Sequence, residues 1–140
     1  MRHFLPGSFT GSMEILRKPS LGFGPSERTW LPQPEGYARY AVDQQQGVAG
    51  STLELYRALL ASRRELGLGV GSLTWVDGYG EDVVAFVNGG ADADGVRTLV
   101  LANLGGEPVA LPDGAEVVLA SGPLGEGYAV PTDTTVWAHW

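Results

Sequence analysis

Between Ser51 and Leu66 the apolar residues return every three or four positions, and that period persists nowhere else in the chain. The stretch reads STLELYRALLASRREL. At the helical angle, Leu53, Leu60, Tyr56, Leu59, Leu66 and Leu55 cover roughly 160° of arc, wider than a helix with one buried face requires. Arg63 falls inside this arc and Arg64 on its solvent side. Ser51 followed by Glu54 predicts a capping box. The hydroxyl accepts from the Glu54 amide, and the Glu54 carboxylate reaches back to the Ser51 amide. Gly67 is the expected left-handed C-cap. The pattern predicts a helix over 51–66 that is buried on two sides. Arg63 is expected to snorkel to water or to pair with a carboxylate such as Asp43 or one from the β domain.

From Leu68 onward the period is two. LTWV at 73–76, VVAFV at 83–87, TLVLAN at 98–103, PVAL at 108–111, EVVLAS at 116–121 and TTVWAHW at 134–140 read as short strands. Asp77-Gly78, Asp94-Gly95, Gly105-Gly106 and Asp113-Gly114 supply turns between them. Six short, closely spaced strands predict an antiparallel sandwich or barrel. Its core candidates are Leu73, Trp75, Phe86, Val100 or Leu101, Val118 or Leu119, and Trp137. The alternatives arise because adjacent positions are both apolar, so a one-residue slip changes the buried set.

The first fifty residues hold twelve Pro or Gly and keep neither period. WLPQPEGYARY reads as extended, because each proline pushes the residue before it away from the helical region. So long a stretch without regular structure fits an active-site loop of something larger, or a linker. Residues 1–20 have no hydrophobic period and are expected to be poorly packed. The fold class predicted is mainly β, an antiparallel β-sandwich preceded by one long α-helix and an irregular N-terminal segment. The expected divisions are a leader at 1–21, a loop and helix at 22–67, and a β domain at 68–140.

Composition narrows the function. At 44% hydrophobic and 18% charged residues the chain is globular in character. Its N-terminus, MRHFLPGSFTGS, lacks the apolar run of a signal peptide. Without cysteine there is no disulfide framework, zinc–thiolate site or thiol nucleophile, and a cytoplasmic location is expected. Residues 1–50 carry a net charge of +1 and residues 51–140 a net of −8. The acidic portion repels phosphate backbones, so nucleic acid is not an expected partner; nor is a membrane.

Candidate chemistry is sparse. GLGVGS at 67–72 has the glycines of a phosphate loop, but it follows a helix where such loops precede one. DADG at 92–95 has the look of a calcium loop. An EF-hand register would put Gly90 and Leu101 where carboxylates are required, so a hairpin turn is the expectation. His3 and His139 are too few and too far apart to suggest a metal site. Trp75, Trp137, Trp140, Tyr79 and Tyr128 have faces able to stack on sugar rings, although tryptophans on strands mostly serve the core. Asp77, Glu81, Asp82, Asp92, Asp94, Asp113, Glu126 and Asp133 all fall in predicted turns or loops. Glycoside chemistry would need two of them held across a shaped pocket. No catalytic, cofactor-binding or metal-binding residue is assigned.

The order of these features resembles one known family. GFGPSERTWLPQPEGYARYAVDQQQGVAGSTLELYRALLASRRELG is similar to the end of the catalytic barrel in α-glucosidases of glycoside hydrolase family 13, the oligo-1,6-glucosidase and maltase type. In that family a Gly-Phe loop leads to Trp-Leu-Pro-x-Pro, a Gln-rich run and a Ser-x-Leu-x-Leu-Tyr-Arg helix. LVLANLGGEPVALP, VVLAS and PTDTTVW resemble strands of its C-terminal β domain. The likeness spans about residues 22–140. It implies that 51–66 is the last barrel helix, packed between the barrel and the β domain, which would account for the wide apolar arc. It also implies a parent reaction of retaining α-glucoside hydrolysis. The family's nucleophile, acid/base and stabilising carboxylates belong to earlier barrel strands, upstream of the matched region, so none is carried over. Residues 1–20 match nothing in the family. The chain is expected to be a non-catalytic C-terminal portion that braces a barrel, with self-association through the exposed helix face. The alternative is an autonomous carbohydrate-binding or interaction module. A coplanar exposed aromatic pair would mark the module, whereas burial of Trp75 and Trp137 would mark the brace.

Overall fold

The computed structural model describes residues 19–22, 25–89 and 97–140. The chain divides into two compact units, Met1–Glu54 and Leu55–Trp140. Apart from Pro19–Leu21, the predicted leader lies outside the described residues.

In the first unit the prolines act as expected. Residues 28–34 form no regular element, and Pro34, at φ −57° and ψ 142°, leads into a 3-10 helix over Glu35–Tyr40. One turn of α-helix follows, α1 (Val42–Gln45). Gln45 then prepares the start of the long helix, α2 (Thr52–Glu65). Its side chain donates to the Tyr40 carbonyl at 3.0 Å and accepts the Leu53 amide at 2.8 Å. The Ser51 hydroxyl accepts the Glu54 amide at 3.3 Å and donates to the Gln45 carbonyl at 2.8 Å. Two amides of the first turn of α2, orphaned by helix geometry, are thereby satisfied. The return arm of the expected box differs. A Glu54 carboxylate oxygen accepts the Gly47 amide at 3.0 Å, while the Ser51 amide donates to the Val48 carbonyl at 3.1 Å. The tight turn at Gly47, where φ is +75°, brings that amide into reach.

In the second unit α2 ends in a Schellman motif. Gly67 sits at φ +61°, its amide donates to the Arg64 carbonyl, and the Leu68 amide donates to the Arg63 carbonyl at 3.0 Å. Leu68 is buried beyond the cap. No residue of α2 itself is buried. Leu55, Ala58, Leu59, Ser62 and Leu66 are half-covered, whereas Tyr56 and Leu60, on the other side of the apolar arc, are 61% and 49% exposed. Burial on both sides is therefore not realised. Arg63 is also exposed, with its guanidinium lying over Gly69.

The β class is as expected: β1 (Leu73–Trp75), β2 (Val83–Asn88), β3 (Thr98–Asn103), β4 (Glu116–Ala120) and β5 (Thr134–His139) form one antiparallel sheet in the order β1-β2-β3-β5-β4. The predicted strand at 108–111 contributes only a bridge, Val109 to Val130. That bridge belongs to the second layer, built from the connections on either side of β4. Val109, Leu111, Ala115, Leu124 and Val130 cover one face of the sheet, over Ala85, Val87, Leu99, Leu101, Val136 and Ala138. Each Leu or Val fully buried here contributes about 1.5–3 kcal/mol. Asn103, 1% exposed, ties the layers together. Its amide donates to the Glu107 and Val130 carbonyls, both at 2.9 Å, and its oxygen accepts the Gly105 amide at 2.9 Å.

The buried set corrects the expected one. Leu73 and Trp75 are 52% and 66% exposed, and Phe86, Val100 and Trp137 are only half-buried. Of the paired alternatives, Leu101 is the core residue. The bulge in β4 decides the other pair. Val118 is the extra residue, so Val117 and Ala120 both reach the core face while Leu119 pairs with Trp137 on the opposite one. The core face takes the smaller side chains, which lets the loop layer lie close. The aromatic residues occupy the other face.

Candidate functional site

Register places one apolar side chain from every strand in a single row across that outer face. Trp75 is opposite Phe86, Phe86 opposite Val100, Val100 opposite Trp137, and Trp137 opposite Leu119. Neighbours in such a row stand close enough to touch. The Trp75 and Phe86 rings meet edge to face, 5.7 Å between centroids and 76° between planes. The row is unevenly covered: Trp75 at its edge is 66% exposed, whereas Phe86, Val100, Trp137 and Leu119 are part-buried. Val100, in the central strand, keeps partial exposure, while Leu99 and Leu101 beside it have none.

Next to this row runs a polar one: Asn88 opposite Thr98, Thr98 opposite His139, and His139 opposite Glu116. Thr98 is fully buried, and its hydroxyl oxygen and His139 Nδ1 both lack hydrogen-bond partners. At the strand's end Trp140 receives the Arg97 guanidinium over its ring at 5.9 Å, and its amide donates to the Arg97 carbonyl.

The carboxylates singled out in the sequence do not converge. Asp77, Glu81, Asp82, Asp113, Glu126 and Asp133 are all exposed. Asp92 and Asp94 lie outside the described residues, as does His3. Among the described residues no three His, Asp or Glu side chains come together in a group able to hold a metal ion. Of the aromatic candidates, Tyr128 is exposed on its 3-10 turn, and Tyr79 packs against the core, where desolvation raises its phenol pKa above 10. The glycines at 67–72 serve the helix cap and the turn beyond it. Among the described residues no helix is long and apolar enough to cross a membrane.

The first unit contains a shallow cleft of about 400 Å³ lined by Ser20, Leu21, Glu27, Gln33, Pro34, Glu35 and Ala38. The Gln33 side-chain oxygen is buried there without a partner. Both carboxylates, Glu27 and Glu35, are exposed. The lining offers acceptors but no enclosing wall that would hold a sugar ring between two carboxylates, as retaining hydrolysis requires. Sequence reading singled out none of these lining residues.

Among the described residues, Trp75 and the Tyr56–Leu60 side of α2 offer exposed apolar contact area, and the acidic turns around the sheet offer charge. No protein-family model matches the sequence, and no curated protein is significantly similar to it.

Proposed function

We propose that the chain is the non-catalytic C-terminal portion of an α-glucosidase-like glycoside hydrolase, acting in the cytoplasm. Its helix and β unit would brace a catalytic barrel that performs retaining hydrolysis of α-glucosidic bonds. The observation that supports this reading is the exposure of large apolar side chains on both elements, Tyr56 and Leu60 on α2 and Trp75 at the edge of the sheet. Exposed apolar surface of this kind marks an interaction site. The order of sequence features over 22–140, described above, supplies the family. The burial expected of a brace is not met at Trp75, which is 66% exposed, and is only partial at Trp137; on this reading a body outside the chain covers Trp75.

A carbohydrate-binding module is the second reading, favoured by the 66% exposure of Trp75. Against it, the ring beside Trp75 stands nearly perpendicular and so makes no flat platform for stacking.

The test is to incubate the purified chain with a chromogenic α-glucoside while measuring glucan binding by calorimetry. The bracing reading expects neither turnover nor binding. Turnover lost on mutating a carboxylate of this chain would overturn it, and saturable glucan binding abolished by Trp75→Ala would establish the module.

A further inference from the structure

The sheet ends at β1 on one side and at β4 on the other. Strand edges offer unpaired backbone groups to any passing strand, and β4 is protected against this. Its bulge at Val118 interrupts the strand, and Glu116 puts an exposed charge at its start. β1 has neither device. Leu73, Thr74 and Trp75 are all exposed, and from Leu66 to Val76 the sequence carries no charged residue and no proline. Backbone geometry fixes what this edge presents. The Gly89 amide donates to the Ser72 carbonyl, and the Val76 amide donates to the Ala85 carbonyl. Bonded positions alternate along an antiparallel ladder, so Ser72, Thr74 and Val76 turn their amides and carbonyls toward β2. Those of Leu73 and Trp75 point away from the sheet, and among the described residues they have no hydrogen-bond partner.

We propose that β1 is a homodimerisation edge: two copies of the chain pair antiparallel through Leu73–Trp75, about a two-fold axis at Thr74. Leu73 of each copy then lies opposite Trp75 of the other. Each of these two pairs exchanges two hydrogen bonds, four in all. An axis at Leu73 or at Trp75 would form only one such pair, and an axis between residues would set outward-facing groups against inward-facing ones. The side chains agree with this register. Leu73 and Trp75 share one face and meet across the junction as an aliphatic–aromatic pair, while the two Thr74 side chains meet on the other face. Charge favours a second copy as the occupant. Residues 68–140 hold one cation, Arg97, against ten carboxylates, so two copies repel except where the chain is uncharged, as it is here. In the proposed register Asp77 falls opposite Gly71, and no carboxylate meets another. A cationic partner would be drawn instead to the acidic turns. The junction is short and buries less than the roughly 1,200 Å² of a standard interface, so the dimer exchanges with monomer. The inference does not depend on the glycosidase reading, since it uses only this chain's own edge.

The experiment exploits the lack of cysteine. Thr74→Cys places a single thiol at the axis, and Glu126→Cys places one on an exposed turn elsewhere. Under mild oxidation with glutathione, Thr74→Cys should form a covalent dimer about tenfold faster than Glu126→Cys, because the axis holds the two thiols within bonding range. Light scattering across a concentration series then follows the unmodified chain, Thr74→Lys and Thr74→Glu. Thr74 is exposed, so the variants keep the fold, which far-ultraviolet circular dichroism verifies. The mass of the unmodified chain should rise toward twice the monomer value. Each charged variant should stay monomeric, since like charges meet at the axis, and an equimolar mixture of the two should regain the dimer. Equal trapping rates at positions 74 and 126 would overturn the proposal. So would a Thr74→Lys variant that associates as the parent does, or a mixture no heavier than its components. An unmodified chain that stays monomeric throughout would also overturn it, leaving the edge to a strand of another protein.

Discussion

Replacing Asn103 with Ala removes the side chain whose hydrogen bonds tie the sheet to its loop layer. Three hydrogen bonds of 2.9 Å disappear, to the Glu107 carbonyl, the Val130 carbonyl and the Gly105 amide. Val130 is completely buried, but its carbonyl keeps the Val109 amide at 2.9 Å, so it loses one of two donors and is not left unpaired. Gly105 and Glu107 keep some access to water. At about 0.5–1.5 kcal/mol for each hydrogen bond lost, the three together cost about 1.5–4.5 kcal/mol, a large share of the roughly 5–15 kcal/mol that holds a typical domain together. With a urea slope of about 1 kcal/mol/M for so small a unit, the midpoint should fall by roughly 1.5 M or more. Tryptophan fluorescence and circular dichroism in parallel urea titrations provide the assay. Asn103→Asp adds a check of mechanism. At neutral pH it points carboxylate oxygens at two carbonyls, and at acid pH the protonated carboxyl recovers one donor. Its deficit relative to the unmodified chain should therefore shrink as pH falls. An Asn103→Ala variant within about 0.5 kcal/mol of the parent, at an unchanged slope, would refute the argument that this side chain joins the two layers.

Ser51→Ala should cost about 1 kcal/mol, because the Glu54 amide loses its acceptor, while Gln45 continues to cap Leu53; the loss should appear as reduced helical ellipticity on mild heating. Gly67→Ala should cost about 1–2 kcal/mol in the same measurement, since Ala must adopt the φ of +61° that closes the Schellman motif. Tyr79 makes stability fall in alkali. Below about pH 10 both states hold the phenol proton; above it the unfolded chain releases the proton first, because burial raises the folded-state pKa. The unfolding midpoint should drop from about pH 10 upward, and Tyr79→Phe should remove that part of the slope.

The features legible in the sequence were those set by local chemistry. Ser51, Glu54 and Gly67 marked both ends of α2 because capping is decided by residues only a few positions apart. Strand positions followed from period two, and five of the six expected strands are present. PVAL failed as a strand because Val109 finds a single bridging partner in a loop. Which face is buried was not legible from the large residues. Trp75, Phe86 and Trp137 suggested a core by size, yet they share their face with Asn88, Thr98, Thr135 and His139. The opposite face, from Ala85 and Val87 to Val136 and Ala138, carries Asn103 and Thr134 only at one end. Polar content per face, rather than aromatic size, was the available signal. The cleft with Glu27, Gln33 and Glu35 left no pattern in the sequence, because it depends on how irregular segments fold back on one another.

The most direct test of the bracing account is to supply the missing body. A catalytic barrel of the oligo-1,6-glucosidase type, shortened to end before its last helix, would be titrated with this chain. Complex formation would be followed by light scattering and tryptophan accessibility by acrylamide quenching. The account predicts a one-to-one complex and protection of Trp75, which is 66% exposed in the chain alone. A folded barrel that forms no complex, with Trp75 equally accessible in its presence and absence, would contradict it.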